Sequence, residues 1–261
     1  MSISPNYQKI IKNLEMAIDR KKKELRNGRK TYKNHPKSNF FFSRYPPEIR
    51  KKIMYDDEAL FSVTDSRSAD KITEILSKLD GISNSSVITD MTACVGGNSI
   101  SFSDKFRKVN SIELDDKRYE LLKYNIHNVL GINNVDFYNG NGIDLIINNQ
   151  THQDIIFMDP PWGGTNYQKS NTLRLYLSNS SGINYDMGEL TLMLLRKAKY
   201  VALKVPVNFD MDYFREVVNK NAHIVSEISS LRKMKLIIVG KKKLNTKKLK
   251  TKKLTKSKPI V

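Results

Sequence analysis

Residues 87–98 read VITDMTACVGGN, a short β-type run that ends near Asp90 and is followed by the pair Gly96-Gly97. Glycines at such a turn let the backbone approach a ligand closely, and the following helix offers free N–H groups. The spacing is neither that of the dinucleotide fingerprint nor that of a P-loop. A carboxylate at the strand end instead suits the amino group of an amino-acid-like ligand. A Gly-Gly turn between a strand and a helix also occurs without any ligand.

Strands and helices alternate on both sides of this stretch. The predicted strands lie near 87–91, 109–114, 135–138, 154–158, 200–204, 223–228 and 234–239, and the predicted helices near 65–79, 116–130 and 186–198. This alternation is typical of βαβ units, so we predict an α/β fold with a doubly wound, mostly parallel, seven-stranded, Rossmann-like sheet. Ligands of such sheets bind beyond the C-terminal ends of the strands, at the switch point.

Composition excludes several classes of protein. The 261 residues are 39% apolar and 28% charged, which is typical of a soluble globular chain. No apolar run reaches the length of a transmembrane helix, and one cysteine cannot build a disulfide framework or a Cys-based zinc site. The four histidines are scattered, so we expect no metal. We expect the protein inside the cell, in the nucleus or cytoplasm, or in a viral factory if the chain is viral.

The positive charge is concentrated at the two ends of the chain. Residues 1–52 carry a net charge of +11 and residues 241–261 carry +10, whereas residues 53–240 carry −3. Basic flanks of this kind are the electrostatic footprint of a nucleic-acid partner. For the C-terminal run, a solubilising or nuclear-targeting role stays open.

We divide the chain into three parts. Residues 1–60 form a basic, helical and irregular N-terminal extension, and we expect this extension to contribute to the substrate site. Within it, the apolar spacing predicts an amphipathic helix over 6–27. Residues 61–240 form the catalytic domain, and the Lys-rich tail 241–261 is disordered.

The strand near 154–158 ends in residues 159–164, which read DPPWGG. Two successive prolines lack N–H donors and fix φ, so the backbone is stiff and its carbonyls are available to a ligand. The Asp159 side chain and the Pro160 carbonyl can accept both hydrogens of an exocyclic amine, which directs the nitrogen lone pair at an electrophile. Trp162 offers a flat face on which a base stacks. The alternative is a proline turn beside an ordinary core tryptophan.

Glu113 and Asp115 end the strand near 109–114, some twenty residues past the glycine pair. An acid at this place can accept hydrogen bonds from ribose hydroxyls. The alternative is a solvated turn, or a helix N-cap formed by Asp115 or Asp116. Because the acid follows the glycine turn at the expected distance, we favour the ribose role for Glu113.

The order DMTACVGGN, IELD and DPPWGG on successive strands resembles the class I S-adenosylmethionine-dependent methyltransferases. The closer resemblance is to the trimethylguanosine synthase family, which methylates the 2-amino group of the 7-methylguanosine RNA cap. It rests on DPPWGG followed by Tyr167, on residues 95–98 (VGGN), and on the upstream stretches 42–45 (FSRY) and 60–64 (LFSVT). It covers roughly residues 30–240.

The resemblance implies S-adenosylmethionine as cofactor and a role for each matching residue. Its catalytic residues are Asp159, Pro160 and Trp162. Its cofactor-binding residues are Ser62, Thr64, Asp90, Gly96, Gly97, Asn98, Glu113, Asp115, Asn141 and Asp159. Its substrate-binding residues are Trp162, Tyr167, Phe42, Lys33, Lys204 and Lys233.

Three positions depart from the family pattern. Asp159 stands where the family usually has serine, and a carboxylate accepts hydrogen bonds more strongly than a hydroxyl. Asn141 stands where the family usually has an aspartate for the adenine amino group. Val207 stands where the family has an arginine that grips phosphate, a role for which Lys204 is the candidate substitute.

We therefore expect a methyltransferase that acts on the exocyclic 2-amino group of the 7-methylguanosine cap, forming the dimethyl or trimethyl product. Its partner would be capped RNA, with no membrane partner, and we expect a monomer. Two alternatives stay open: methylation of an exocyclic base amine in rRNA or DNA, and a catalytically inactive module that binds caps or RNA.

Overall fold

The structure, a computed structural model, describes residues 31–33, 35–231 and 234–241. Its strands are β1 (Thr31–Lys33), β2 (Met54–Asp56), β3 (Val87–Asp90), β4 (Lys108–Glu113), β5 (Val135–Asn139), β6 (Ile155–Met158), β7 (Tyr176–Ser178), β8 (Asn184–Asp186), β9 (Tyr200–Pro206), β10 (Ala222–Leu231) and β11 (Met234–Lys241). Its α-helices are α1 (Ser38–Phe41), α2 (Pro47–Arg50), α3 (Ala59–Ser62), α4 (Ser66–Ser77), α5 (Gly97–Phe102), α6 (Asp116–Lys123), α7 (Gly142–Ile147), α8 (Met187–Leu194) and α9 (Met211–Val218). A π-helical turn (Tyr124–Val129) continues α6, and a 3₁₀ turn spans Gly164–Lys169.

Within the described residues, seven strands form one sheet in the order β10-β11-β9-β6-β3-β4-β5. All neighbouring pairs from β9 to β5 are parallel, and β11 is antiparallel to both β9 and β10. The chain runs from β3 outward to β4 and β5, then returns to β6 on the other side of β3. The predicted doubly wound, mostly parallel, seven-stranded α/β sheet is confirmed, and its switch point lies between β3 and β6.

Apolar side chains cover both faces of the sheet because successive strand residues point to opposite sides. In β6, Ile155 and Phe157 join the core cluster on one face, whereas Ile156 and Met158 join the cluster on the other. Helices α4, α5 and α6 pack on the first face, and α7, α8 and α9 on the second. Strands buried on both faces read as continuous apolar runs, which is the pattern of the sequence here.

Aspartates begin several of the covering helices. The side chains of Asp65, Asp115, Asp186 and Asp210 accept hydrogen bonds from first-turn N–H groups of α4, α6, α8 and α9. These N–H groups have no partner within their own helix, so an acceptor before the first turn stabilises the helix start. Each of these aspartates therefore marks the residue at which its helix begins.

The part of the N-terminal extension that the structure describes packs onto the sheet domain. Its side chains Phe42, Ile53 and Tyr55 are buried in the core cluster of the first face. Asn125 accepts from the Met54 N–H at 2.9 Å and donates to the Met54 carbonyl at 2.9 Å, which joins β2 to the π-helical turn. The helix predicted over 6–27 lies outside the described residues, as do residues 242–261 of the tail.

Some described elements were not predicted. No element was predicted between Trp162 and α8, but this segment contains the antiparallel pair β7 and β8. The two strands are three residues each and largely polar, so they lack the apolar alternation that identifies a strand. Helices α7 and α9 are also short, and helices of one or two turns leave a weak periodic signal.

Candidate active site

A large cavity opens at the C-terminal ends of β3, β4, β6 and β9, beside the switch point. Its volume of about 930 Å³ is at the upper end of the range for small-molecule sites, roughly 300–1,000 Å³. The predicted site residues on its wall are Ser62, Thr64, Glu113, Asn141, Asp159, Pro160, Trp162, Tyr167 and Lys204. The structure thus brings residues predicted to bind the cofactor and residues predicted to bind the substrate to one cavity.

Asp159 directly follows β6 and is held on the wall of this cavity from both its backbone and its side chain. Its N–H donates to Thr92 Oγ1 at 2.8 Å. Its Oδ2 forms an ion pair with Lys204 Nζ and accepts a hydrogen bond from Thr64 Oγ1 at 3.4 Å. Burial raises the pKa of the Asp159 carboxyl, and Lys204 and Thr64 act against that rise. Asp159 is therefore a buried acceptor that shares its charge with one fixed cation.

Trp162 lies between the core and the cavity. Its half-buried indole packs on the core cluster of the second face and lies edge-on to Tyr167, with ring centroids 5.2 Å apart and planes at 75°. Lys204 Nζ lies 5.5 Å from the indole centroid. The buried indole Nε1 donates no hydrogen bond to any described residue. The indole is therefore held by neighbouring rings and still reaches the cavity.

Glu113 ends β4, and its carboxylate lies on the cavity wall with both oxygens already bonded. Oε2 accepts from the Cys94 N–H at 2.9 Å, and Oε1 accepts from the Asp115 N–H at 2.9 Å and from Arg118 Nε at 3.3 Å. Burial raises the pKa of Glu113, and the Arg118 charge opposes this rise. These contacts fix the orientation of the carboxylate, and Oε2, which accepts one hydrogen bond, keeps a second lone pair.

Asp115 and Asn141 both cap helices. The Asp115 side chain accepts from the N–H groups of Lys117 and Arg118 at 3.1 and 3.0 Å. It is therefore the N-cap of α6, which was the alternative to a role in ribose binding. Asn141 Oδ1 accepts from the Ile143 N–H at 3.0 Å at the start of α7, yet Asn141 also lies on the cavity wall. The adenine role stays a prediction for Asn141.

Asp90 lies behind the cavity wall and is completely buried. Its Oδ2 accepts from Ser99 Oγ at 2.6 Å, and its Oδ1 has no hydrogen-bond partner in the part of the chain that the structure describes. Burial, with a further contribution from the Asp159 charge, raises the pKa of Asp90 to about 7. Its neighbours Met91 and Thr92 form the wall between this carboxyl and the cavity.

The glycine turn supports the cavity rather than lining it. Gly96 has φ +105°, and a Cβ on Gly97 would lie 2.6 Å from the Thr64 carbonyl oxygen. Glycine is required at both positions, at the first for its φ and at the second for close backbone contact. Asn98 Nδ2 donates to Thr64 Oγ1 at 3.0 Å. The turn therefore fixes Thr64, and Thr64 in turn contacts Asp159.

The prediction that Phe42 contacts the substrate is wrong for this structure. The Phe42 ring is 2% exposed and packs beside Tyr55 in the core, so it cannot stack on a ligand. The aromatic rings from this region that reach the cavity are Phe40 and Phe61. Both are exposed, and Lys37 Nζ lies 4.4 Å from the Phe61 centroid.

The two predicted phosphate-binding lysines that the structure describes, Lys33 and Lys204, do not converge. Lys33 Nζ lies 5.8 Å from the Tyr124 centroid, on β1 rather than on the cavity wall. Lys204 is 4% exposed, and its contact with Asp159 makes it part of the cavity floor instead of a grip for an exposed triphosphate. Lys233 lies outside the described residues. Among the expected phosphate contacts, Tyr167 lies on the wall.

Arg118 is a site residue that sequence reasoning missed. It lies on the cavity wall, where Nε is 3.3 Å from Glu113 Oε1 and Nη1 is 3.4 Å from Asp56 Oδ2. It therefore joins the predicted ribose acid to β2 of the N-terminal extension. The signal in the sequence was that Arg118 follows Glu113 by five residues. This spacing indicates a contact between the two side chains only when the start of α6 is known.

The amino-acid sequence matches a family of known proteins. A family model described as RNA cap guanine-N2 methyltransferase matches residues 85–256. The chain belongs to this family. Resemblance to the trimethylguanosine synthase family is thereby confirmed, and the protein is an S-adenosylmethionine-dependent methyltransferase.

Two relatives and one solved structure give the extent of the similarity. An uncharacterised protein of Acanthamoeba polyphaga mimivirus, L320, is 36% identical over 223 residues, 76% of this chain and 84% of the relative. A trimethylguanosine synthase of Schizosaccharomyces pombe is 31% identical over 175 residues, 65% of this chain and 68% of the relative. A Listeria monocytogenes structure described as a class I S-adenosylmethionine-dependent methyltransferase has a TM-score of 0.51 at 14% identity, covering 69% of this chain and 61% of that one. At this identity the likeness concerns the fold alone.

The residues present fit S-adenosylmethionine, the cofactor of this class. The ligand carries an ammonium and a sulfonium group; the carboxyls of Glu113 and Asp159 lie on the cavity wall, and that of Asp90 lies directly behind it. The partnerless Oδ1 of Asp90 is a buried acceptor that gains from a nearby cation. The ribose role of Glu113 stays a prediction. Within the described residues, no cluster of three or more metal-ligating side chains occurs, and no helix has the length and apolar character to cross a membrane.

We predict that affinity for S-adenosylmethionine depends on the ionisation of Asp90. Because the pKa of this carboxyl is raised to about 7, the group loses its charge as the pH falls below that value, and its attraction for the ligand cations is lost. The affinity should fall by about tenfold between pH 8 and pH 6. Titration calorimetry of the wild type and of Asp90→Asn measures this. The Asn variant should bind weakly at both pH values, and an unchanged pH dependence in that variant would contradict the role of Asp90.

Proposed function

We propose that this methyltransferase acts on the exocyclic 2-amino group of the 7-methylguanosine RNA cap. One observation carries the proposal: the Asp159–Trp162 turn at the end of β6 faces the same cavity as Glu113 and Thr64. An amine acceptor and a base-stacking ring thus share one space with the predicted cofactor residues. Membership in a family described as RNA cap guanine-N2 methyltransferase and similarity to a trimethylguanosine synthase support this choice.

The charges around the cavity favour a cationic base. Three carboxyls (Asp90, Glu113 and Asp159) lie on or directly behind the cavity wall. Lys204 pairs with Asp159 and Arg118 with Glu113, and Asp90 forms no ion pair with a described residue. A 7-methylguanine ring carries a delocalised positive charge, which gains both from this excess of acid and from the indole face of Trp162. Guanine without the 7-methyl group still stacks on the indole but lacks both electrostatic gains, so the site should prefer the methylated base.

Positioning carries the chemistry in this proposal. When bound, S-adenosylmethionine supplies a methyl group on a positively charged sulfur. The Asp159 carboxylate and the Pro160 carbonyl accept the two amine hydrogens, so the nitrogen lone pair is free and directed into the cavity. As positive charge develops on the nitrogen, the same two oxygens stabilise it, and the Asp159 carboxylate is the acceptor for the proton that the nitrogen loses.

The three parts of the chain have separate roles in this proposal. Residues 1–60 complete the substrate site, which is supported by Phe40 and Glu58 on the cavity wall. Residues 61–240 form the methyltransferase domain. The tail 241–261 adds affinity for long RNA through its lysines.

A methylation assay tests the proposal, with 7-methyl-GTP and GTP as competing substrates and mass spectrometry to identify the products. We expect 7-methyl-GTP to react with a kcat/KM about tenfold higher or more, since the cation–π contribution in a desolvated site reaches about 2 kcal/mol. Equal rates on both nucleotides, or preference for an adenine or cytosine amine in DNA or rRNA, would support the alternative base-amine reaction. Cofactor binding without any product would support an inactive binding module.

We predict that removal of residues 242–261, which leaves β11 intact, weakens binding of long capped RNA in a salt-dependent way. The tail contributes cations, and the cavity wall is already built by described residues between Phe40 and Met234, so turnover of a cap dinucleotide should stay unchanged. Fluorescence anisotropy at two salt concentrations measures the effect, with the full chain as reference. If long-RNA binding is the same for both proteins, the tail serves another purpose.

A further inference from the structure

Lys204 is a buried cation placed by the sheet itself next to Asp159. In the parallel pair β6 and β9, Met158 lies opposite Leu203, so the next residues on the two strands, Asp159 and Lys204, are neighbours at the cavity. The Lys204 side chain is only 5% exposed. A lysine is rarely buried to this extent without a partner, because loss of hydration is costly for an ammonium group.

The Lys204 ammonium has three neighbours that fix its position. It forms an ion pair with Asp159 Oδ2, donates to Thr64 Oγ1 at 2.7 Å, and lies 5.5 Å from the Trp162 centroid. Thr64 is itself held by Asn98 Nδ2 at 3.0 Å. The ammonium therefore connects the proposed amine acceptor with the proposed stacking ring.

We propose that Lys204 is a positioning residue that keeps Asp159 ionised and fixes its carboxylate beside the indole of Trp162. The catalytic role of the Lys204–Asp159 ion pair rests on the proposed function, whereas the ion pair is a contact of the structure. A buried carboxyl without a neighbouring cation takes up a proton. A protonated Asp159 would turn one acceptor oxygen into a donor, which opposes the hydrogens of an amine.

The charged and polar groups that act on Asp159 come from several elements. Lys204 lies on β9, Thr64 on the segment between α3 and α4, and Asp90 at the end of β3. Asp90 is a second carboxyl whose charge repels that of Asp159. Any measurement of Asp159 ionisation must therefore distinguish the titration of Asp159 from that of Asp90.

The experiment uses the emission of Trp162, the sole tryptophan of the chain, in the full protein without ligand. Emission is titrated with pH in the wild type, in Lys204→Met, and in Asp159→Asn/Lys204→Met. In Lys204→Met the transition that belongs to Asp159 should move upward by roughly one pH unit or more, since its counter-charge is gone. In the double variant this transition should be absent, which separates it from that of Asp90.

Two further variants make the test sharper. Lys199→Met is the matched control, because Lys199 forms an ion pair with Asp154 at 3.1 Å at the opposite end of β9; its titration should equal that of the wild type. Lys204→Gln replaces Lys204→Met if the latter does not fold. An unchanged transition after loss of Lys204, or one that persists in the double variant, overturns the proposal.

Turnover provides a second readout. The acidic limb of kcat/KM, which reports the free enzyme, should move upward in Lys204→Met by the same interval as the emission transition, so the loss of kcat/KM relative to the wild type should grow as the pH is lowered. If the wild type does not methylate 7-methyl-GTP while the emission transition moves as expected, the proposed function fails and the Lys204 assignment stands. If the enzyme is active and its pH profile is the same in both proteins, the Lys204 assignment fails alone.

Discussion

Replacement of Trp162 by alanine is expected to lower kcat/KM on 7-methyl-GTP by about 100-fold or more, since stacking contributes roughly 1–3 kcal/mol and cation–π attraction about 0.5–2 kcal/mol. The indole is half-buried on the cavity wall and held edge-on by Tyr167. The predicted cofactor residues Glu113 and Asn141 lie on other elements. Affinity for S-adenosylmethionine should therefore change little.

Trp162→Phe is the matched control for this prediction. A phenyl ring keeps the flat face and part of the packing on the core, so its loss of kcat/KM should be clearly smaller than that of the alanine variant. Steady-state kinetics and cofactor calorimetry on the three proteins measure the two effects separately. An equal loss of cofactor affinity and of cap methylation in Trp162→Ala would contradict the stacking role.

Replacement of Asp159 by alanine is expected to lower kcat by about 100- to 1,000-fold, the range seen when one preorganised group that stabilises developing charge is removed. Binding of 7-methyl-GTP should weaken much less, because the indole face is retained. The change also leaves the Lys204 ammonium buried without its counter-charge, which destabilises the fold by about 3–5 kcal/mol.

Thermal unfolding separates the two consequences of Asp159→Ala. The variant Asp159→Asn keeps an acceptor oxygen and most of the volume, so it should retain more turnover than Asp159→Ala while also losing the ion pair. Kinetics are therefore measured well below the melting temperature of each variant. A drop in affinity for 7-methyl-GTP as large as the drop in kcat would contradict the assigned role of Asp159.

The fold could be predicted from the sequence because its pattern is local. Apolar runs such as Ile155–Met158 and Val201–Leu203 are buried on both faces, and the acids and glycines at their ends mark where strands stop. The alternation of strands with helices predicts that most strands of the sheet are parallel. Short polar elements such as β7 and β8 escaped prediction because a strand of three residues has no measurable period.

The site could be predicted only where one short stretch carries its own chemistry. Asp159 and Trp162 belong to one turn, so their shared place at the cavity follows from covalent geometry. Phe42 and Phe40 are two residues apart in an irregular segment, and nothing in the sequence says which ring faces the core. Lys204 meets Asp159 through strand register, a contact between residues 45 positions apart that becomes visible only in the folded sheet.

The most direct test of the account is the location of the transferred methyl group. The enzyme is incubated with S-adenosylmethionine and 7-methyl-GTP, and fragment masses of the product show which atom is methylated; 7-methyl-ITP, which lacks the 2-amino group, is the matched control. We predict methylation of the 2-amino nitrogen of 7-methyl-GTP and no product from 7-methyl-ITP. Methylation of 7-methyl-ITP, or a methyl group on any other atom of 7-methyl-GTP, would contradict the account.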